Sequence, residues 1–173
     1  MTSAAAHASA PQAQGLVAAP VAAIPVPKGQ SAGMLRAGLA CLPSGRLTRG
    51  DFVADPTEMQ QDLHDALAAL DPARLAALPG GGKAALTIEL REISTRLCNK
   101  SYGVFGRGDT RSLSGEARFL FGWKAASAPA GEPAGTVEIV LTPGKRDGAT
   151  PRSLFREALA RLAERLASLS SSR

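Results

Sequence analysis

The sequence predicts an α+β domain: an antiparallel sheet of about four strands with two helices packed on one face, in the order β-α-β-β-β-α. Three observations predict it. Apolar residues alternate with polar ones over Leu86–Leu97, Ser112–Ala125 and Thr136–Thr142, the period of half-buried strands. Glycine- and proline-rich breaks separate these runs, and an amphipathic segment with helical spacing, Arg152–Leu169, closes the chain.

Taken in order, Met34–Leu42 reads as a first strand, Pro43-Ser44-Gly45 as a turn, and Leu47–Val53 as a short extended run. A helix follows, because Asp55 can cap it, Pro56 suits its first position, and Glu58 can reach back to complete a capping box. Met59, Leu63, Ala66, Leu67 and Leu70 lie on one face of that helix, and Asp71-Pro72 starts a shorter one through Leu78. In the next run Leu86, Ile88 and Leu90 alternate, after which the apolar phase slips to Ile93 and Leu97, as a β-bulge near Arg91-Glu92 requires. Asn99–Asp109 is a glycine-rich loop, and Leu113, Ala117, Phe119, Phe121 and Trp123 form the inner face of the following strand. Val137, Ile139 and Leu141 point inward from the last strand. The closing helix has Thr150 as cap and a stripe of Leu154, Phe155, Ala158, Leu159, Leu162, Leu166 and Leu169, with Glu157 and Arg161 placed as an i,i+4 pair.

Residues 1–33 read as a disordered leader or the remnant of a signal peptide, leaving 34–170 as a single α+β domain. Pro20, Pro25 and Pro27 block a helix there, and Ala6-His7-Ala8 before Ser9 has the small-x-small form of a signal cleavage site. No stretch approaches the length of a transmembrane helix. The net charge of +5 admits an anionic partner, but the cations are scattered and interspersed with acids, the pattern of an ordinary soluble surface. The two cysteines bear on the compartment. Cys41 and Cys98 both fall near strand ends and form a disulfide if those strands are neighbours, which requires an oxidising compartment; the alternative is two buried free thiols. Gly38-Leu39-Ala40-Cys41 departs from a lipoprotein box at the glycine, so lipidation of Cys41 is not expected.

Catalytic sets are not evident. A nucleophilic system would have to use His64, which lacks an orienting motif, because the other histidine, His7, lies in the leader. Pro79-Gly80-Gly81-Gly82-Lys83 lacks the spacing and the Ser/Thr of a phosphate loop, and Gly103–Gly108 has no helix behind it to make a dinucleotide site. No metal site and no cofactor are proposed, since two cysteines cannot complete a zinc site unaided. Arg49-Gly50-Asp51 and Arg107-Gly108-Asp109 read as turn chemistry between strands rather than as adhesion tripeptides. Tyr102, Phe105, Arg107 and Arg111 place aromatics among cations in the long loop, and are read as a contact surface for a protein partner; the same composition is that of a single-stranded nucleic-acid platform.

The runs Leu86-Thr87-Ile88-Glu89-Leu90 and Gly115–Trp123, with the helix Ser153-Leu154-Phe155-Arg156-Glu157-Ala158-Leu159, resemble the strands and final helix of lipopolysaccharide-assembly lipoproteins and of the auxiliary lipoproteins of ABC-type lipid transporters. The resemblance spans roughly residues 34–169 as pattern. It implies a non-enzymatic periplasmic or outer-membrane-associated binding or assembly module, auxiliary to lipid or lipopolysaccharide transport, whose partner is an envelope protein or a lipid. The alternatives are a cytoplasmic basic protein that binds nucleic acid, and a small hydrolase using His64.

Overall fold

The computed structural model describes residues 21–23, 29–53, 55–79, 85–102, 110–126, 134–143 and 149–170. The α+β expectation holds in its coarse form: strands make one sheet, and helices share one apolar core with it. In chain order the elements are β1 (Val21–Ala23), β2 (Ser31–Ala37), β3 (Leu42–Thr48), α1 (Arg49–Phe52), α2 (Pro56–Ala68), α3 (Pro72–Ala76), β4 (Ala85–Tyr102), β5 (Thr110–Ala126), β6 (Ala134–Leu141) and α4 (Pro151–Ser170).

The sheet differs from the expected four-stranded antiparallel one. Its order is β3-β2-β4-β5-β6, with β1 added beside β4, and it is mixed: β1 and β2 both run parallel to β4 along the same edge. β1 pairs at Leu86–Ile88 and β2 at Thr95–Asn99. The three-residue β1 lies in the stretch where no packed element was expected, because its small and β-branched residues carry no periodic signal of their own. Parallel pairing depends on residues far apart in the chain and is not visible in local alternation.

The first hairpin is also shifted. The turn falls at Gly38–Cys41 rather than at Pro43–Gly45, because Gly38 (φ +77°) and Cys41 (φ +49°) take the left-handed conformations that reverse the chain. Pro43 then sits inside β3, which is tolerated because β3 is the outermost strand of the sheet and Pro43 has no N–H to offer a neighbour. The run expected to be extended through Val53 folds instead into the single turn α1. Thr48 caps it, with the Asp51 carboxylate accepting from both the Thr48 backbone N–H and its hydroxyl. The triplet Arg49-Gly50-Asp51 is therefore a helix start and not a turn between strands.

Other expectations hold. The β4–β5 ladder slips by one residue between Leu90 and Glu92, the bulge inferred from the phase change. Asp55 caps α2 by accepting from the Thr57 N–H at 2.7 Å, and Thr150 caps α4 by accepting from the Ser153 N–H at 3.1 Å. The carboxylate of Glu58 is paired with Arg152 and Arg156 of α4 across the α2–α4 seam. The loop expected at Asn99–Asp109 is shorter, since β4 runs on to Tyr102 and β5 begins at Thr110.

One contiguous apolar cluster lies between the helices and the inner face of the sheet. It joins Phe52, Met59, Leu63 and Leu67 to Ile88, Leu90, Phe119 and Phe121, and to Leu154, Phe155, Leu159, Leu162 and Leu166. Phe119 is its centre: its ring meets Phe52 edge-on at 5.7 Å and Phe155 at 5.8 Å.

Candidate functional site

The residues alternating with that core lie on the opposite, helix-free face of the sheet. A shallow groove of about 430 Å³ there is lined by Glu92, Ser94, Arg96, Glu116, Arg118, Leu120 and Glu138. Strand register brings them together: Arg96 stands beside Glu116, Ser94 beside Arg118, and Leu120 between Glu92 and Glu138. The charges are largely answered within the face. Arg118 donates from Nε to Glu116 Oε1, and its Nη1 lies 3.8 Å from Glu138. The hydrogen bond to Glu116, and then that carboxylate's charge, hold the Arg118 guanidinium more firmly protonated than usual. Further along the face, Arg91 pairs with Glu89 at 3.2 Å and lies across Gly122, where a Cβ would come within 2.5 Å of its Nε.

This arrangement presents paired charges to solvent around one half-buried leucine, and suits recognition of a polar surface better than enclosure of an apolar ligand. Among the described residues, no cluster of His, Cys, Asp or Glu is arranged to hold a metal ion. His64 is 54% exposed on α2, with Asp65 as its acidic neighbour at 3.7 Å. Three arginines of α4 are likewise answered: Arg156 holds Asp62 at 3.0 Å, Arg161 holds Glu157 at 2.8 Å, and Arg152 pairs with Glu58.

Cys41 and Cys98 form a disulfide, with Cα atoms 5.5 Å apart. The register explains it. Arg36 stands beside Cys98, and the Gly38 N–H donates to Asn99 O at 3.1 Å, so the hairpin turn lies against the far end of β4. Of the residues expected to form a contact loop, Tyr102 and Arg111 belong to the paired ends of β4 and β5, which reach Tyr102↔Thr110. Phe105 and Arg107 lie outside the described residues, as do the Gly80–Lys83 run and the second Arg-Gly-Asp triplet.

Two groups escaped the sequence reading. Arg49 is buried at 5% exposure, and its guanidinium donates to the Leu90 carbonyl at 3.2 Å and to the Arg91 carbonyl. It occupies the part of the β4 edge between β1 and β2 where no described strand pairs. Burial lowers its pKa, while the charges of Glu92 and Glu89 raise it. The available signal was Thr48-x-x-Asp51, a capping pattern that puts Arg49 in a helix rather than a turn. The second group is the exposed apolar tip of the β2–β3 hairpin, which the sequence reading assigned to a strand.

No family model, no curated protein and no solved structure matches this chain. Among the described residues, no helix is long and apolar enough to cross a membrane.

Proposed function

We propose that this protein is a non-enzymatic binding or assembly module of an oxidising, extracytoplasmic compartment, and that its helix-free sheet face meets a protein partner. The observation that carries the reading is the Cys41–Cys98 disulfide, which closes a long stretch of chain and is the kind of bond that reducing compartments do not maintain. The mixed charges of the sheet face favour a polar protein surface, and the half-exposed position of His64 gives a hydrolase little support. On the groove face and the helical layer, the pairing of Arg118, Arg152, Arg156 and Arg161 with carboxylates weakens a nucleic-acid reading of those surfaces, which needs cations free to meet phosphates. An auxiliary role in lipid or lipopolysaccharide transport is the narrower form of this proposal.

The test is to isolate the native protein under acid quench and alkylate it without reductant. Both cysteines should escape labelling, and photo-crosslinkers placed at Leu120 should capture an envelope protein. Complete labelling of Cys41 and Cys98 in freshly quenched cells would remove the compartment assignment. Leu120 adducts confined to nucleic acid would remove the partner class.

A further inference from the structure

Large apolar side chains are left in water mainly at one place. Of the five exposed large hydrophobics among the described residues, Met34, Leu39 and Leu42 belong to the β2–β3 hairpin, at 50%, 76% and 65% exposure. Leu39 lies within the turn and Leu42 directly follows it, where a chain reversal would ordinarily present polar residues. The core does not account for them, since the inward residues of this hairpin are Ala32, Leu35 and Leu47. The tip is also held in place. The disulfide ties Cys41 to Cys98, and Gly38 is hydrogen-bonded to Asn99, so the two leucines are carried on a turn fixed to the central strand.

Charge distinguishes this region from the rest of the molecule. From Gln30 to Thr48 the chain contains Arg36 and Arg46 and no Asp or Glu. Register sets Met34 between Arg46 of β3 and Arg96 of β4, so an apolar side chain is flanked on both sides by cations. Arg36 and Arg46 are exposed, and neither has a carboxylate neighbour on its own hairpin. The helix-free groove differs, because glutamates line it: Arg118 is paired with Glu116 and lies 3.8 Å from Glu138, and Arg96 stands in register with Glu116.

We propose that the β2–β3 hairpin is a membrane-docking element: Leu39 and Leu42 enter the interface of an anionic bilayer, while Arg36 and Arg46 meet its headgroups. Projecting apolar side chains beside acid-free cations supply the two signals that reversible interfacial binding needs. The disulfide lowers the ordering cost by presenting the turn already formed.

The experiment is cosedimentation of the oxidised full chain with vesicles of equimolar phosphatidylglycerol and phosphatidylcholine, and with vesicles of phosphatidylcholine alone. The protein should partition to the anionic vesicles and lose that preference in high salt. Leu39→Ser/Leu42→Ser should weaken partitioning by about tenfold per leucine. Arg36→Gln/Arg46→Gln should weaken it by about fivefold per arginine and remove most of the salt dependence. All four positions are exposed, so unchanged thermal unfolding of each variant serves as the folding control. Equal binding to both vesicle types overturns the proposal, as does wild-type partitioning by the leucine variant. Capture of an envelope protein at the tip without vesicle binding also overturns it, and makes the hairpin a protein-docking element.

Discussion

Replacing both cysteines, Cys41→Ser/Cys98→Ser, should produce a large loss of stability. The bond spans a sequence separation of 57 residues and links the turn after β2 to the far part of β4. Its main effect is on the unfolded chain, whose freedom it restricts; the loop-entropy relation for a closure of this length gives about 4 kcal/mol. For a domain of this size that corresponds to a fall in Tm of roughly 8–16 °C. Cys98 is buried, so serine in its place adds a small desolvation cost to the entropic one. The assay is urea and thermal unfolding of three samples: oxidised wild type, wild type in reductant, and the double serine variant. Reduced wild type should lose the loop-entropy contribution alone, the serine variant should fall slightly below it by the cost of burying a hydroxyl, and reductant should not move the serine variant. A difference between oxidised and reduced wild type of less than about 1 kcal/mol would refute the assignment of the loss to loop closure.

Glycine substitutions separate backbone conformation from space. Gly115→Ala should cost about 3 kcal/mol or more, because φ is +114° and a Cβ would stand 2.0 Å from the Arg96 carbonyl oxygen. Gly38→Ala, with φ +77° and nothing within 4 Å, should cost only about 1 kcal/mol; urea midpoints compare the two. Phe119→Ala, which removes the ring shared by Phe52, Phe121 and Phe155, should lose about 3–5 kcal/mol by chemical denaturation. Arg49→Met should cost about 2–4 kcal/mol, since the Leu90 and Arg91 carbonyls lose their donor, and exchange of amides near the β4 bulge should quicken. A double-mutant cycle on Arg156→Gln and Asp62→Asn should return a coupling of about 0.5–1 kcal/mol that shrinks with added salt.

The C-terminal half was the most legible part of the fold because its pairings are local. Alternation in Leu113–Trp123 and Val137–Leu141 reports the inner face directly, and the slip between Leu90 and Ile93 located the bulge. Caps at Asp55, Asp71 and Thr150 were also readable, since a side-chain oxygen two or three residues before a free N–H is a short-range pattern. The N-terminal half was less legible, because β1 and β2 pair with a strand lying more than fifty residues further along the chain, and parallel neighbours leave no signature in either segment alone. Gly38 was passed over as the turn in favour of Pro43-Ser44-Gly45, whose composition suggests a reversal but which an edge strand tolerates. Along β5 the helix-free face follows by alternation from the inner face named in the sequence. Its cross-strand partners from β4 and β6 depend on register and could not be anticipated.

The β4 edge shows why these missed features belong together. β4, β5, β6 and α4 follow one another and bury a common core, whereas the N-terminal strands join the sheet along a single edge of β4. That edge is assembled in pieces: β1 at Leu86–Ile88, the Arg49 guanidinium at the Leu90 and Arg91 carbonyls, β2 at Thr95–Asn99, and the Cys41–Cys98 bond at the end of the β2 pairing. A bulge interrupts the ladder where Arg49 enters, so a charged side chain rather than a strand satisfies the carbonyls there. The hairpin bearing Leu39 and Leu42 is the outermost piece of this seam, with one side open to solvent and β3 bonded only to β2. An element so placed has few packing contacts to hold it, and a covalent link close to its turn restrains it where burial does least.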